Sequence, residues 1–203
     1  MDKNNMTNAI IVDADYVDKV VFSLIVNFER MLGRRIPQAD LARWIDCIAL
    51  DGGMRPQDSA QQAVMTQVVL LHDAGRQHLD NFVPASFADE LDGKAFADNL
   101  GEFVISTPVV ESITSKEQLL LDTLSLFCAD DHTGRIMVVP SDEHYVSVRS
   151  LLRRQLSAMK PVTVFAMQPQ TGGNFMQELL GYSLMAALGI SSAEIESASV
   201  PSE

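Results

Sequence analysis

Apolar residues along this chain fall into two patterns, short unbroken runs and longer stripes at helical spacing. The runs Ala9-Ile10-Ile11-Val12, Gln67-Val68-Val69-Leu70-Leu71, Arg135-Ile136-Met137-Val138-Val139 and Pro161-Val162-Thr163-Val164-Phe165-Ala166 have the continuous hydrophobicity of strands covered on both faces. Glu102-Phe103-Val104-Ile105-Ser106 reads as one more strand, third in chain order, closed by Thr107-Pro108 because proline cannot continue a central ladder.

The stripes lie between these runs. Val20, Val21, Leu24, Ile25, Phe28, Met31 and Leu32 predict a helix from about 18 to 32, and Gly33 suits its stop. A second helix opens near Pro37, buries Leu41, Trp44, Ile45 and Ile48, and closes at Gly52-Gly53. Ser115 can cap a helix to about Ala129, with Gln118 placed to complete a capping box. Further helices are expected from about His144 to Ala158 and, capped by Asn174, to Leu188. Residues 75–101 mix Pro84, Gly93, Phe82, Phe87 and Phe96 without a period and read as an irregular excursion.

Alternation of strand and helix at this spacing predicts a three-layer Rossmann-like α/β fold with a mainly parallel five-stranded sheet, in the order 3-2-1-4-5. One domain is expected over 9–190, between a flexible N-terminus (1–8) and a disordered acidic tail (191–203). No stretch approaches the roughly 18 apolar residues of a membrane span, and the N-terminus has no signal core. Cys47 and Cys128 sit inside apolar helical patterns, as small buried hydrophobes do, so a reducing, cytoplasmic setting is expected. Fifteen basic against twenty-seven acidic side chains give a net charge of −12, which disfavours a broad nucleic-acid surface and confines any RNA contact to a local site.

Ligands of open parallel sheets settle beyond the carboxyl ends of the strands, where the strand order reverses. The first strand ends in Asp13 and Asp15, the second in His72-Asp73 and the fourth in Pro140-Ser141-Asp142-Glu143-His144. If the first and fourth strands are neighbours, Asp13 and Asp142 converge. With no lysine among them, such carboxylates would need a cation, and hard oxygen ligands favour Mg²⁺ or Mn²⁺. Asp13, Asp15, Asp142 and Glu143 are therefore the candidate metal ligands; Asp13 could equally be a helix cap. The amides of Thr171-Gly172-Gly173-Asn174 are a weaker candidate for cradling phosphate.

The segment Ile10-Ile11-Val12-Asp13-Ala14-Asp15, the helix carrying Asp122, and Met137-Val138-Val139-Pro140-Ser141-Asp142-Glu143-His144-Tyr145 resemble the NYN branch of PIN-like ribonucleases, and the order of elements is similar over most of the chain. The resemblance implies a divalent-metal-dependent phosphodiesterase, or a degenerate relative, with catalytic acids at Asp13, Asp142 and Asp122, or Glu117 in place of Asp122. This chain departs from the pattern at Pro140-Ser141, where the family has Ser-Gly, and at His144, where it has a second aspartate. Asp13-Ala14-Asp15 is also similar to the first motif of haloacid-dehalogenase-like phosphotransferases, with Asp13 as nucleophile, Asp15 as general acid and Asp142-Glu143 as metal acids. Against that second likeness stand His72, where a Ser or Thr belongs, and the lack of an obvious lysine. A third expectation is a non-catalytic scaffold for a protein partner or a homodimer, docking through Phe82, Val83 and Phe87.

Overall fold

The computed structural model describes residues 7–56, 64–111, 113–155 and 160–199. In chain order the main elements are β1 (Thr7–Asp13), α1 (Ala14–Leu32), β2 (Ala39–Asp40), α2 (Leu41–Asp51), β3 (Met65–Asp73), β4 (Phe82–Val83), β5 (Ala95–Asp98), β6 (Gly101–Ser106) and β7 (Val109–Val110). They continue as α3 (Lys116–Ala129), β8 (Thr133–Val139), α4 (Tyr145–Gln155), β9 (Val162–Ala166), β10 (Met176–Leu179), α5 (Leu180–Ala187) and α6 (Ser192–Ser199). The central sheet runs β10-β9-β8-β1-β3-β6-β5, with β7 beside the end of β3. All its pairings are parallel except β5 with β6. The fold is thus α/β with a mainly parallel sheet, wider than the five strands expected.

Strand alternation divides the core. Ile10 and Val12 of β1, Val68 and Leu70 of β3, and Met137 and Val139 of β8 pack with α1, α2 and α5. Ile11, Val69, Leu71, Ile136 and Val138 pack with α3 and α4 on the opposite face. Both faces are covered, which explains why these strands are apolar throughout. Trp44 lies in the first layer, 1% exposed, with its indole N–H donating to Ser183 Oγ at 3.1 Å.

Several expectations need correction. The helix α1 starts at Ala14, directly after β1, because the Asp13 carboxylate accepts from the Tyr16 N–H and caps it. Gly33 closes it in the left-handed region, at φ 63°. The segment from Asn174 is not a helix throughout: Met176–Leu179 pairs with β9, and the helix begins only at Leu180. The excursion is ordered, with a single π-helical turn at Phe87–Leu91 and two short strands. Phe82 and Phe87 are buried there, so only Val83 of the proposed docking trio is exposed. Residues 192–199 of the tail form α6, where Ile195 packs on the core and Glu194 pairs with Arg34 at 2.8 Å. Thr7 and Asn8 belong to β1, and the end expected for the helix from His144 falls on 156–159, outside the described residues. Cys47 and Cys128 are both free thiols. No helix among the described residues is long and apolar enough to cross a membrane.

Asp46 on α2 faces Asp98 on β5. Burial, and then the neighbouring Asp98 carboxylate, push its pKa from 3.8 up to about 7. A carboxyl raised in the folded state supports stability below pH 3.8, and that support is lost as pH rises through about 7. The expected outcome for Asp46→Asn is a urea midpoint that matches the wild type near pH 4 and exceeds it near pH 8. Parallel pH profiles for the two proteins would show that Asp46 titrates normally.

Candidate functional site

Beyond the carboxyl ends of β1, β3 and β8 lies a cleft of about 510 Å³, lined by Asp13, Asp15, Tyr16, Lys19, Asp73, Arg76, Lys116, Ser141, Asp142, Glu143 and His144. Its place follows from the chain path. After β1 the strands step outward through β3 to β6 and β5, and the chain then returns to β8, on the other side of β1, and continues outward to β9 and β10. The strand order reverses at β1, which opens the crevice there.

Alternation also selects the side chains that meet. Asp13 shares a face with Ile11, and Asp73 shares one with Leu71 and Val69, so both point toward the α3–α4 layer. The first residue of α3, Lys116, reaches down to them. Its ammonium lies 3.5 Å from Asp13 Oδ1 and 2.9 Å from Asp73 Oδ2, and it also hydrogen-bonds Asp15 Oδ2. The Asp73 N–H donates to that same Asp15 oxygen at 2.8 Å. On the far side Arg76 donates to Asp18 Oδ2 at 2.6 Å and stands 3.5 Å from Asp15 Oδ1. Asp18 is 2% exposed and also accepts from the N–H groups of Asp80 and Asn81, so this buried charge is fully partnered.

The electrostatics follow from burial and pairing. Burial raises the Asp13 pKa, and the opposing pull of Lys116 and of the Tyr16 N–H does not cancel it. Burial also works to raise Asp73, but its hydrogen bond with Lys116 and the charge of that ammonium prevail and hold it low. Lys116 itself is kept above the usual lysine range: burial opposes this, and the bonds to Asp15 and Asp73, with the charge of Asp13, outweigh it. The Tyr16 phenol is raised by burial and then by the nearby Asp142 carboxylate. His144 Nδ1 is 3.8 Å from Asp13 Oδ2, too far for a hydrogen bond.

Of the sequence candidates, Asp13, Asp15, Asp142 and Glu143 therefore share one cleft. The helix acids do not join them. Asp122 is exposed and accepts from Gln118 Nε2 at 2.7 Å, while Glu117 accepts from Ser147 Oγ. Both lie on α3 away from the cleft, because the residue of α3 that faces it is Lys116. The expectation of acids without a lysine is corrected by the same contact. Lys116 escaped notice because a cation in the first turn of a helix opposes the helix dipole and reads as solvated surface. In this arrangement the acids do not fit a divalent ion: the point where their oxygens converge is taken by the ammonium, and among the described residues no three or more His, Cys, Asp or Glu side chains gather as ion ligands. The Thr171–Asn174 loop leads into β10 rather than a helix, which removes the dipole that would have favoured phosphate.

Hydrogen-bonding capacity is left over in this cleft. Among the described residues, seven buried side-chain nitrogens and oxygens find no hydrogen-bond partner, and five belong to cleft residues; Asp15 Oδ1 and Arg76 Nε are ion-paired with each other at 3.5 Å, which leaves Tyr16 OH, Ser141 Oγ and His144 Nδ1. Buried polar groups are normally satisfied, so their convergence marks a place that a polar ligand would complete.

Residues 3–195 match the model of a family of unknown function, DUF6621, and the chain belongs to that family. No curated protein and no solved structure matches it.

Asp13 combines a cap with a buried charge, and two substitutions separate them. Asp13→Asn keeps a capping oxygen and is expected to hold the denaturant midpoint near the wild type, whereas Asp13→Ala loses about 1 kcal/mol. Equal losses in the two variants would assign the effect to the charge rather than the cap.

Proposed function

We propose that this DUF6621 chain is a PIN-like domain of degenerate type that binds a phosphoester-bearing ligand, such as an RNA end, in the cleft without a resident divalent ion. The buried Tyr16 OH, Ser141 Oγ and His144 Nδ1, which line the cleft without a hydrogen bond, are the observation that carries the reading. The Tyr16 and Ser141 hydroxyls and the Lys19 ammonium are donors suited to phosphate oxygens. Asp142 and Glu143, exposed on the β8 side, are acceptors suited to ribose hydroxyls. A short local contact of this kind is compatible with a chain of net charge −12.

The PIN-like assignment draws support from Asp13 at the end of the central strand, from α1 following it at once, and from the β6-β3-β1-β8-β9 run of parallel strands. The degenerate form draws support from Lys116 among the acids and from Asp122 and Glu117 lying outside the cleft. In an active relative Asp13 and Asp142 would hold Mg²⁺ or Mn²⁺, which would activate water and stabilise the leaving oxygen.

One observation favours a second reading, a haloacid-dehalogenase-like phosphotransferase. Lys116, on the helix before β8, approaches Asp13 at 3.5 Å, which supplies a lysine next to the nucleophile that reading requires. Against it, Asp13 Oδ1 already accepts from the Tyr16 N–H, and His72 at the end of β3 is buried and stacked 3.8 Å from the Phe87 ring.

The test is a titration of the protein with a short single-stranded RNA and with a 5′-mononucleotide, in EDTA and again in Mn²⁺, followed by product analysis. Binding in EDTA, weakened by Ser141→Ala and Tyr16→Phe and without cleavage in Mn²⁺, is the expected result. Mn²⁺-dependent cleavage that Asp13→Asn abolishes would replace this reading with an active nuclease. Phosphate release from small esters together with a trapped beryllofluoride adduct on Asp13 would favour the phosphotransferase. Binding under no condition would leave a protein-interaction scaffold or homodimer.

A further inference from the structure

We infer that Arg149 and Arg153, beside the glycine turn at Gly172, form a second anion site, outside the cleft, that takes a phosphate group. Tyr145, Arg149 and Arg153 follow one another at four-residue intervals and so make one stripe along α4. The loop 167–175, which joins β9 to β10, is fastened along that stripe. Phe175 stands edge-on to the Tyr145 ring with 6.4 Å between centroids, Arg149 Nη1 donates to Thr171 O at 2.7 Å, and Asn174 Nδ2 donates to Leu152 O at 3.5 Å. None of these residues lines the cleft, so the site is independent of what the cleft binds.

Two guanidiniums meet there. A Cβ on Gly172 would stand 3.0 Å from Arg153 Nη2 and 4.0 Å from Arg149 Nη1, which puts those nitrogens within about 7 Å of each other, close enough for like charges to repel. Elsewhere in this acidic chain Arg34, Arg76 and Lys116 each hold a carboxylate. Among the described residues Arg149 and Arg153 have no carboxylate partner, and Arg153 makes no hydrogen bond. A buried donor lies next to them. Tyr145 is 3% exposed and its hydroxyl has no hydrogen-bond partner. Burial raises its pKa and the charge of Arg149 opposes the rise, so phenol and guanidinium are near enough to interact.

The turn is fixed before any ligand arrives, which lowers the cost of binding one. Gly172 is left-handed at φ 75°, its carbonyl accepts from Gln177 Nε2 at 3.4 Å, and Gln177 Oε1 accepts from the Gln170 N–H at 3.2 Å. A side chain at this position would crowd Arg153. Because the loop leads into a strand, no helix dipole contributes, and the arginines supply the positive charge. Their planar forks match phosphate oxygens, and a phosphate dianion cancels two guanidiniums where a carboxylate cancels one. Inorganic phosphate and phosphate monoesters share that chemistry.

Proton–nitrogen NMR of the full chain, titrated with inorganic phosphate against sodium chloride of equal ionic strength, tests the inference. Saturable shifts of the Gly172 amide and of the Arg149 and Arg153 Nε–H groups are expected. Arg153→Gln, a change at an exposed side chain, should weaken this binding roughly tenfold through the loss of a charged hydrogen-bond donor. Arg153→Lys, which keeps the charge without the fork, should fall between the two. Ser141→Ala should leave these shifts unchanged, because it touches only the cleft. Shifts that chloride reproduces, that never saturate, or that Ser141→Ala removes overturn the inference and leave the reading of the cleft standing. A 5′-mononucleotide separates the sources: tighter binding than inorganic phosphate assigns the site to an ester, and equal or weaker binding assigns it to the free ion.

Discussion

Everything in this fold is referred to β1. Its residues Ala9 to Asp13 are buried, it is hydrogen-bonded in parallel register to β3 on one side and β8 on the other, and layers of helices cover both its faces. A strand in that position must be apolar along its length, since no side chain of it reaches water until the strand ends. The first polar residue after the run, Asp13, therefore marks where the sheet gives way to the cleft. The reversal of strand order on either side of β1 makes that place a crevice rather than a flat edge.

The cost of the crevice is charge held at low exposure. Asp13, Asp15 and Asp18 lie close together beside the more exposed Asp73, and the structure answers with two cations from distant parts of the chain, Lys116 for Asp13, Asp15 and Asp73 and Arg76 for Asp18 and Asp15. The two solutions differ in completeness. Asp18 has Arg76 and two backbone N–H donors and is saturated, so it reads as a structural anchor for the turn at Asp80-Asn81. Tyr16, Ser141 and His144, which line the cleft, keep unused hydrogen-bonding capacity, which sets the cleft apart from the anchored cluster beside it.

Much of this was legible in the residues, and the misses have identifiable causes. Unbroken apolar runs located β1, β3, β8 and β9, since doubly covered strands leave no ambiguity of face, while β6 shows the alternation of a strand covered on one face. Met176-Gln177-Glu178-Leu179 carries no such run, because an edge strand is only partly covered, and by its pattern it reads as part of the helix that follows. Residues 192–199 look polar enough to stay unfolded, yet α6 is held by Ile195 on the core and by Glu194 on Arg34. Of the site, the acids at the ends of β1 and β8 were found from the strand-end rule. Asp122 was misplaced because helical spacing alone does not say which face of α3 meets the cleft.

The sequence by itself determined the α/β class, the parallel core and the edge of the sheet at which acids collect, because period, burial and strand termini are local properties written into consecutive residues. Only the tertiary structure decided which charges meet. Lys116 is 101 residues from Asp15 and 43 from Asp73, and no pattern links them. Their contact exists because side-chain alternation turns Asp13 and Asp73 toward the layer in which α3 packs, and because the burial of Asp13 makes an unpaired carboxylate there costly enough to demand a cation.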